Sequence, residues 1–152
     1  MLRGAGLKWD LRKEHPYSIY KEVDFDVPVG TGQMGTLGDC WDRHMVRMKE
    51  MIQSIRIIEQ LIDGIPEGPH RAKVGKVIKP PAGEAYSRTE CPRGELGFYI
   101  ISDGTGKPYR VRCKSPCFMN IATLNDLSQG VMVADLIATI GSLDIVLGEV
   151  DR

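Results

Sequence analysis

Residues 39–63, DCWDRHMVRMKEMIQSIRIIEQLID, are the stretch that decides the fold. Asp39 is a good helix N-cap, and Asp42 places negative charge in the first turn. Gly64 and Pro66 follow and predict where the helix ends. Apolar side chains recur at a spacing of three or four residues, which predicts a core-packing helix without chemistry of its own. The stripe is wide enough to predict burial against more than one neighbour, and it comprises Trp41, Met45, Met48, Met51, Ile52, Ile55, Ile58, Leu61 and Ile62.

Outward from this helix, three stretches at 84–90, 96–101 and 109–113 have the composition of β-strands. The turn sequence at 103–106 joins the last two. A short helix is predicted within 119–127, and a longer one over 129–140. Residues 1–37 are irregular apart from a strand-like alternation at 23–27, and residues 64–83 form a connector rich in proline, glycine and lysine.

Charge and composition exclude some classes of function. The 20 basic and 20 acidic residues cancel, whereas a nucleic-acid binder needs a basic excess. The cluster Lys107, Arg110, Arg112 and Lys114 belongs to one strand and is interpreted as a solvated strand face. The most apolar stretch, 131–147, is interrupted by charged residues and glycine, so any membrane association is expected to come through partners.

Known short motifs give no self-contained active site. Cys40, Cys91, Cys113 and Cys117 lack any C-x-x-C or zinc spacing, which predicts reduced thiols and no metal site. A literal G-x-G-x-x-G spans 30–35, but acidic residues and a proline precede it and the helix starts beyond its last glycine. It is therefore interpreted as a flexible loop and not as a dinucleotide site.

Two groups of charged residues are the remaining candidates. Arg93 lies between Glu90 and Glu95, and a local ion-pair cluster is expected there. Asp144 and Glu149 lie among apolar neighbours, where carboxylates are candidates for proton transfer. The alternative for these two is a helix cap and a surface charge.

Several segments, in this order, resemble the quinone-site D-subunit of NADH:quinone oxidoreductase, the respiratory complex I. The resemblance covers nearly the whole chain, and its combination of motifs is specific. The segments are 1–13 (MLRGAGLKWDLRK), 38–43 (GDCWDR), 92–97 (PRGELG), 102–104 (SDG), 108–110 (PYR) and 141–152 (GSLDIVLGEVDR).

This resemblance implies an α+β, mainly helical fold with a helical core like that of the large subunit of nickel–iron hydrogenases. Residues 1–152 would form a single domain, the C-terminal portion of the subunit, with a small antiparallel β subdomain at 84–114. The implied function is reduction of quinone, the substrate, by electrons that come from NADH through FMN and iron–sulfur clusters on partner subunits, coupled to proton translocation. The implied location is peripheral, on the cytoplasmic face of the cell inner membrane.

The resemblance also implies partners and site residues. The partners are other complex I subunits, especially the one carrying the terminal iron–sulfur cluster. The chain would reach the membrane arm through these partners, and no nucleic-acid partner is expected. Asp144 and Glu149 match tail positions expected to relay protons, and Val146 with Asp144 would line the quinone site. Arg93 and Glu95 belong to a structural motif. The tail has Ser142 and Asp144 where hydrogenases carry nickel-binding cysteines, so no metal is expected.

The chain also departs from the family pattern. The N-terminal half of the subunit, with the histidine and tyrosine expected to hold the quinone headgroup, is absent. A helical segment between the connector and the strands is missing, and the loop at 30–37 is longer than usual. These departures suggest a fragment, a split gene product or a paralogue, inactive as an isolated chain. The alternatives are a non-catalytic homologue with a structural or assembly role and a fragment of a membrane-bound hydrogenase large subunit.

Overall fold

A computed structural model describes residues 1–151, in which six helices accompany one three-stranded sheet. The helices are α1 (Leu11–Glu14), α2 (Cys40–Ile62), α3 (Pro116–Ile121), α4 (Leu124–Leu127), α5 (Val133–Leu143) and α6 (Leu147–Val150). The strands are β1 (Gly83–Cys91), β2 (Gly94–Ser102) and β3 (Arg110–Lys114). This mixture confirms the α+β class. Arg152, the last residue of the predicted tail, lies outside the described residues.

The sheet is antiparallel, with the strand order β1-β2-β3. Tyr99 in the central strand lies opposite Tyr86 on one side and Arg112 on the other. Residues 92 and 93 alone join β1 to β2, so Arg93 sits at the tip of a tight turn. All three predicted strands are confirmed to within two residues at each end.

Helix α2 is confirmed together with its N-cap, because the Asp39 carboxylate accepts the Asp42 backbone N–H at 2.8 Å. Its apolar stripe, however, is not the buried face. Met51, Ile52, Ile55, Ile58 and Ile62 are each more than half exposed. The prediction that this stripe is buried within the chain is therefore wrong for these residues. Helical periodicity identifies an apolar face, but it does not say which segment covers that face.

The side of α2 that does pack contacts the extended segment 23–27. Val23, Phe25 and Val27 are buried against Ile57 of α2. The alternation of this segment is confirmed, since Asp24 and Asp26 point outward. The segment pairs with side chains and not with a strand: the N–H groups of Asp24 and Asp26 each donate to a glutamine side chain on α2 at 2.9 Å.

Helix boundaries near the C-terminus differ from the predicted ones. The predicted helix at 119–127 is two helices, and the first begins early because Ser115 caps it and Pro116 occupies its first position. The helix predicted over 129–140 begins only at Val133. Gly130 has a positive φ of 73°, so the helix cannot extend back through this residue. The Asp135 carboxylate then accepts the Met132 N–H at 3.3 Å and fixes the helix start.

Candidate functional site

A cavity of about 430 Å³ lies between the N-terminal segment, α2, the β1–β2 turn, α3 and the end of α5. This volume lies within the range of small-molecule sites. Both apolar and charged side chains line the cavity. The apolar ones include Leu2, Trp9, Val46, Met119 and Leu143, and the charged ones include Arg3, Arg43, Arg47, Glu50, Glu90, Arg93, Glu95, Lys114 and Asp144.

Asp144 ends α5 at the cavity wall in a left-handed conformation, with φ 52° and ψ 49°. Such a backbone is unfavourable for a residue with a side chain, although Asp tolerates it better than most. Arg93 holds it there: its Nε donates to the Asp144 carbonyl oxygen at 2.8 Å, and its guanidinium lies 3.4 Å from the carboxylate. The carboxylate is partly exposed, so it is accessible from the cavity.

Two arginines of α2 hold the same helix end. Arg43 Nε donates to the Ser142 hydroxyl at 2.9 Å, and that hydroxyl donates to the Thr139 carbonyl at 2.7 Å. Arg47 donates to the Ser142 carbonyl at 2.6 Å. The last carbonyls of a helix lack intrahelical partners and carry partial negative charge. Arg47 and Arg93 therefore satisfy carbonyls at this end of α5, and Arg43 holds the Ser142 side chain, so that three arginines fix the direction in which the tail leaves the helix.

The predicted cluster of Arg93 with Glu90 and Glu95 does not form. Arg93 projects from the turn toward Asp144, whereas Glu90 pairs with Arg3 at 2.8 Å. Glu95 accepts from Arg88 at 3.1 Å and Lys114 at 2.7 Å. The hydrogen bond from Lys114 is the main reason that the pKa of Glu95 is lowered. The prediction fails because neighbours in sequence at a tight turn point in different directions.

Arg3 lies at the centre of a second charged group on the cavity wall. It contacts Asp10 at 3.1 Å, Glu50 at 2.6 Å and Glu90 at 2.8 Å. Burial raises the pKa of Glu50, and the opposing charge of Arg3 only partly offsets this. Burial also acts to raise the pKa of Asp10, but hydrogen bonds from Arg12 outweigh it and the net pKa is lowered.

Beyond Asp144, the tail turns into α6 and contacts α3. The Val146 N–H donates to the sulfur of Cys117 at 3.4 Å, and Cys117 is fully buried. Burial, and then the nearby Glu149 carboxylate, raise the pKa of the Cys117 thiol. One oxygen of Glu149 is buried. Among the predicted site residues, Asp144 therefore lines the cavity, the side chain of Val146 is exposed, and Glu149 lies against α3.

The glycine-rich loop at 30–38 binds a carboxylate of the chain itself. The N–H groups of Thr31, Gly32 and Gly38 donate to the buried Asp42 side chain at 2.9–3.2 Å. The bonds from Gly38 and Gly32 lower the pKa of Asp42. A Cβ at Gly30 would lie 2.0 Å from the Gly4 carbonyl oxygen, so only glycine fits there. Asp42 already occupies the N–H groups that a dinucleotide phosphate would need.

Within residues 1–151, no three His, Cys, Asp or Glu side chains come together in a way that could hold a metal ion. In the same residues, no helix has both the length and the apolar character needed to cross a bilayer.

The residues that fix the tail gave little sign of their role in the sequence. Arg43 appeared only within the resembling segment 38–43, Arg47 only as a polar position on a predicted helix, and Cys117 only as one of four thiols. The single available signal was the lack of a basic residue in the last turn of α5, which leaves its carbonyls to be satisfied by arginines from elsewhere.

Comparisons with known proteins identify the family of this chain. A family model described as "Respiratory-chain NADH dehydrogenase, 49 Kd subunit" matches residues 1–81 and 72–152. The chain therefore belongs to the family of this subunit of the respiratory-chain NADH dehydrogenases, and the resemblance to the D-subunit of complex I is confirmed.

Similar proteins carry the corresponding name, as D-subunits of NADH-quinone oxidoreductase. Those of Chlorobaculum tepidum and Dehalococcoides mccartyi are 56% and 52% identical over 156 and 152 residues. The D-subunit numbered 2 in Solibacter usitatus is 55% identical over 152 residues. Each alignment covers 100% of this chain but only 39–40% of the relative, so the chain spans about 40% of the length of these proteins.

The alignments also bear on the connector. The two family matches meet at 72–81, where a helical segment was expected to be missing. Alignments of 152 and 156 residues leave no room for a helix-sized insertion in these three relatives. A short connector is therefore shared with them and does not distinguish this chain.

Proposed function

We propose that this chain forms one wall of the quinone-reduction cavity of an NADH-quinone oxidoreductase. Electrons from NADH reach the quinone through FMN and iron–sulfur clusters on partner subunits, and the reaction is coupled to proton translocation. The observation that carries this proposal is the geometry of Asp144. Three arginines hold the end of α5, and the carboxylate is placed at the cavity wall in a chain of this family.

The tail supplies both kinds of group that a quinone headgroup needs. Asp144 provides a partly exposed carboxylate for hydrogen bonding and proton transfer to a carbonyl that is being reduced. Val146 and the mostly exposed Leu147 add apolar surface directly after it. Glu149 takes the role of a second proton-relay group. The arginines around the cavity are already engaged by carboxylates and carbonyls, which favours a neutral ligand over an anion.

The same proposal covers the fold. The exposed apolar stripe of α2 is expected to pack against further helices in the full subunit, which together form the helical core of the hydrogenase large-subunit type. Residues 1–152 form one domain of that subunit, with 84–114 as its small β subdomain. The partner that carries the terminal iron–sulfur cluster supplies the opposite wall of the cavity. The assembly is peripheral, on the cytoplasmic face of the inner membrane, and contacts the membrane arm through partners.

Asp144→Asn in the complete complex tests the proposal. Asn tolerates the left-handed backbone, so the tail keeps its position while the ionisable group is lost. We expect quinone reduction to fall by about 100-fold, the low end of effects for a general acid, with assembly nearly unchanged. Asp126→Asn, on the exposed surface of α4, is the matched control. Equal loss of assembled complex and activity would show that Asp144 is structural and would refute its role.

The isolated chain is expected to be inactive with NADH and quinone, since the redox centres are placed on partner subunits. Turnover by the purified chain would contradict this. The exposed apolar stripe of α2 favours one second candidate, a non-catalytic structural or assembly role, because such a face can dock without any chemistry. Under that alternative, the chain binds the cluster-carrying subunit without any rescue of quinone reduction.

A further inference from the structure

Two exposed segments of this chain carry basic residues and no acidic ones. Residues 70–82 and 104–112, called the basic surface below, carry seven of the 20 basic residues and none of the 20 acidic ones. The rest of the chain has 13 basic and 20 acidic residues. The seven are Arg71, Lys73, Lys76, Lys79, Lys107, Arg110 and Arg112, and all of them are exposed.

The two segments of the basic surface lie against each other. Ser102, two residues before the second segment, donates its hydroxyl to the Pro80 carbonyl of the first at 3.2 Å. A Cβ at Gly106 would lie 3.1 Å from Val77, so the connector passes close to the β2–β3 turn. The acidic residues at its border are engaged locally: Glu84 accepts from the Tyr99 hydroxyl, and Asp103 accepts from the Thr105 N–H.

Apolar side chains lie among these charges and are also exposed. Val74, Val77 and Ile78 project from the connector, and Tyr109 is 75% exposed beside the start of β3. An apolar centre with a charged rim is typical of protein interfaces. Solvated charge alone does not require four large apolar residues in the same place.

We propose that the basic surface docks an acidic surface of a partner protein. A polypeptide is favoured because β3 is an outer strand with β2 on one side, and within residues 1–151 no strand covers its other edge. Backbone groups along that edge can pair with a peptide but gain nothing specific from a lipid headgroup. The connector also has no helix in 64–82 that could lie in a membrane interface. This proposal adds a partner surface to the proposed function. It rests on that function only in taking NADH-quinone oxidoreductase as the assembly in which the partner is found.

The test uses the assembly that contains the tagged chain, isolated without added salt. A carbodiimide joins a lysine amine to a carboxylate only where the two are in contact. We expect Lys73, Lys76, Lys79 or Lys107 to be joined to Asp or Glu residues of one other polypeptide, identified by mass spectrometry. No such link from these four lysines, in a sample where other lysines are linked between chains, would overturn the proposal.

A charge-reversal variant gives a second measurement. Lys73→Glu/Lys76→Glu is co-expressed with wild-type chain, and the ratio of the two in the assembly is determined. We expect roughly tenfold lower incorporation, because each reversal replaces an attraction with a repulsion. Lys8→Glu/Lys21→Glu, two exposed lysines elsewhere, is the matched control and should compete equally with the wild type.

Equal incorporation of the test and control variants would contradict the proposal. So would binding of the chain to vesicles containing anionic phosphatidylglycerol together with an absence of links to protein, since that result assigns the surface to a membrane. If the assembly contains the chain but lacks quinone reductase activity, the proposed function fails. The cross-links then still decide the docking surface independently.

Discussion

Replacing Arg93 with Met removes both contacts to Asp144 and keeps an unbranched side chain. The Nε bond at 2.8 Å is donated by a charged group, and such a bond contributes about 1.5–3 kcal/mol. The ion pair is at 3.4 Å with partners 28% and 39% exposed, so it adds only about 0.2–1 kcal/mol. Without Arg93 the left-handed backbone of Asp144 also loses its support. We expect local opening of the tail to become easier by about 2–3 kcal/mol, or about 30- to 150-fold.

Hydrogen exchange of the backbone amides at 145–151 measures this opening directly. Arg93→Met should accelerate exchange there by the stated factor and leave the central strand β2 unaffected. Arg88→Met is the matched control, since Arg88 forms its ion pair with Glu95 across the sheet at 3.1 Å. Unchanged protection of the tail in Arg93→Met, or equal acceleration in both variants, would refute the role given to Arg93.

Three further variants test the charged group around Arg3 and the adjacent core. Because burial raises the pKa of Glu50 above its ordinary value, this side chain favours folding at low pH and loses that contribution as the pH rises through the folded-state pKa. Glu50→Gln should therefore raise the free energy of unfolding at pH 7 relative to wild type, with the difference closing toward pH 4, in urea titrations. Asp10→Asn should lower it by about 1.5–3 kcal/mol at pH 7, because hydrogen bonds to a charged group are lost. The difference in unfolding free energy between Asp10→Asn and wild type should shrink as the pH falls through the lowered pKa of Asp10. A destabilisation that does not change with pH would contradict this prediction. Leu11→Ala, at a residue only 1% exposed, should cost about 2–5 kcal/mol at any pH by the same titration, and a smaller loss would show that the site collapses around the deletion.

Local sequence rules predict the elements of this fold well where the signal itself is local. Helix α2 has its N-cap at Asp39, and the strands follow from alternation and turn residues, so both are confirmed. The helix start at Val133 was missed because the apolar pattern begins earlier, whereas the positive φ of Gly130 keeps the preceding residues from being helical. The burial of α2 was mispredicted for a different reason: an amphipathic pattern identifies a face but not its partner.

The candidate site is less accessible from sequence because its contacts are long-range. Arg93 lies 51 residues from Asp144, and Arg43 lies 99 residues from Ser142. Periodicity and motif spacing carry no information about such pairs. The resemblance of the tail to a known family drew attention to Asp144, but it gave no reason for the left-handed backbone there. That reason became clear only from the positions of the three arginines in the structure.

The position of the tail therefore depends on groups that take no part in proton transfer themselves. A guanidinium remains charged at any physiological pH, so the arginines hold the end of α5 whether or not Asp144 is ionised. The backbone carbonyls of Ser142 and Asp144 accept the strongest of these bonds, and neither carbonyl titrates. The segment that carries the Asp144 carboxylate is therefore anchored mainly through backbone atoms, and its position depends little on the charge of that side chain. Such anchoring is what the proton-relay role that we propose for Asp144 requires of a group at a cavity wall.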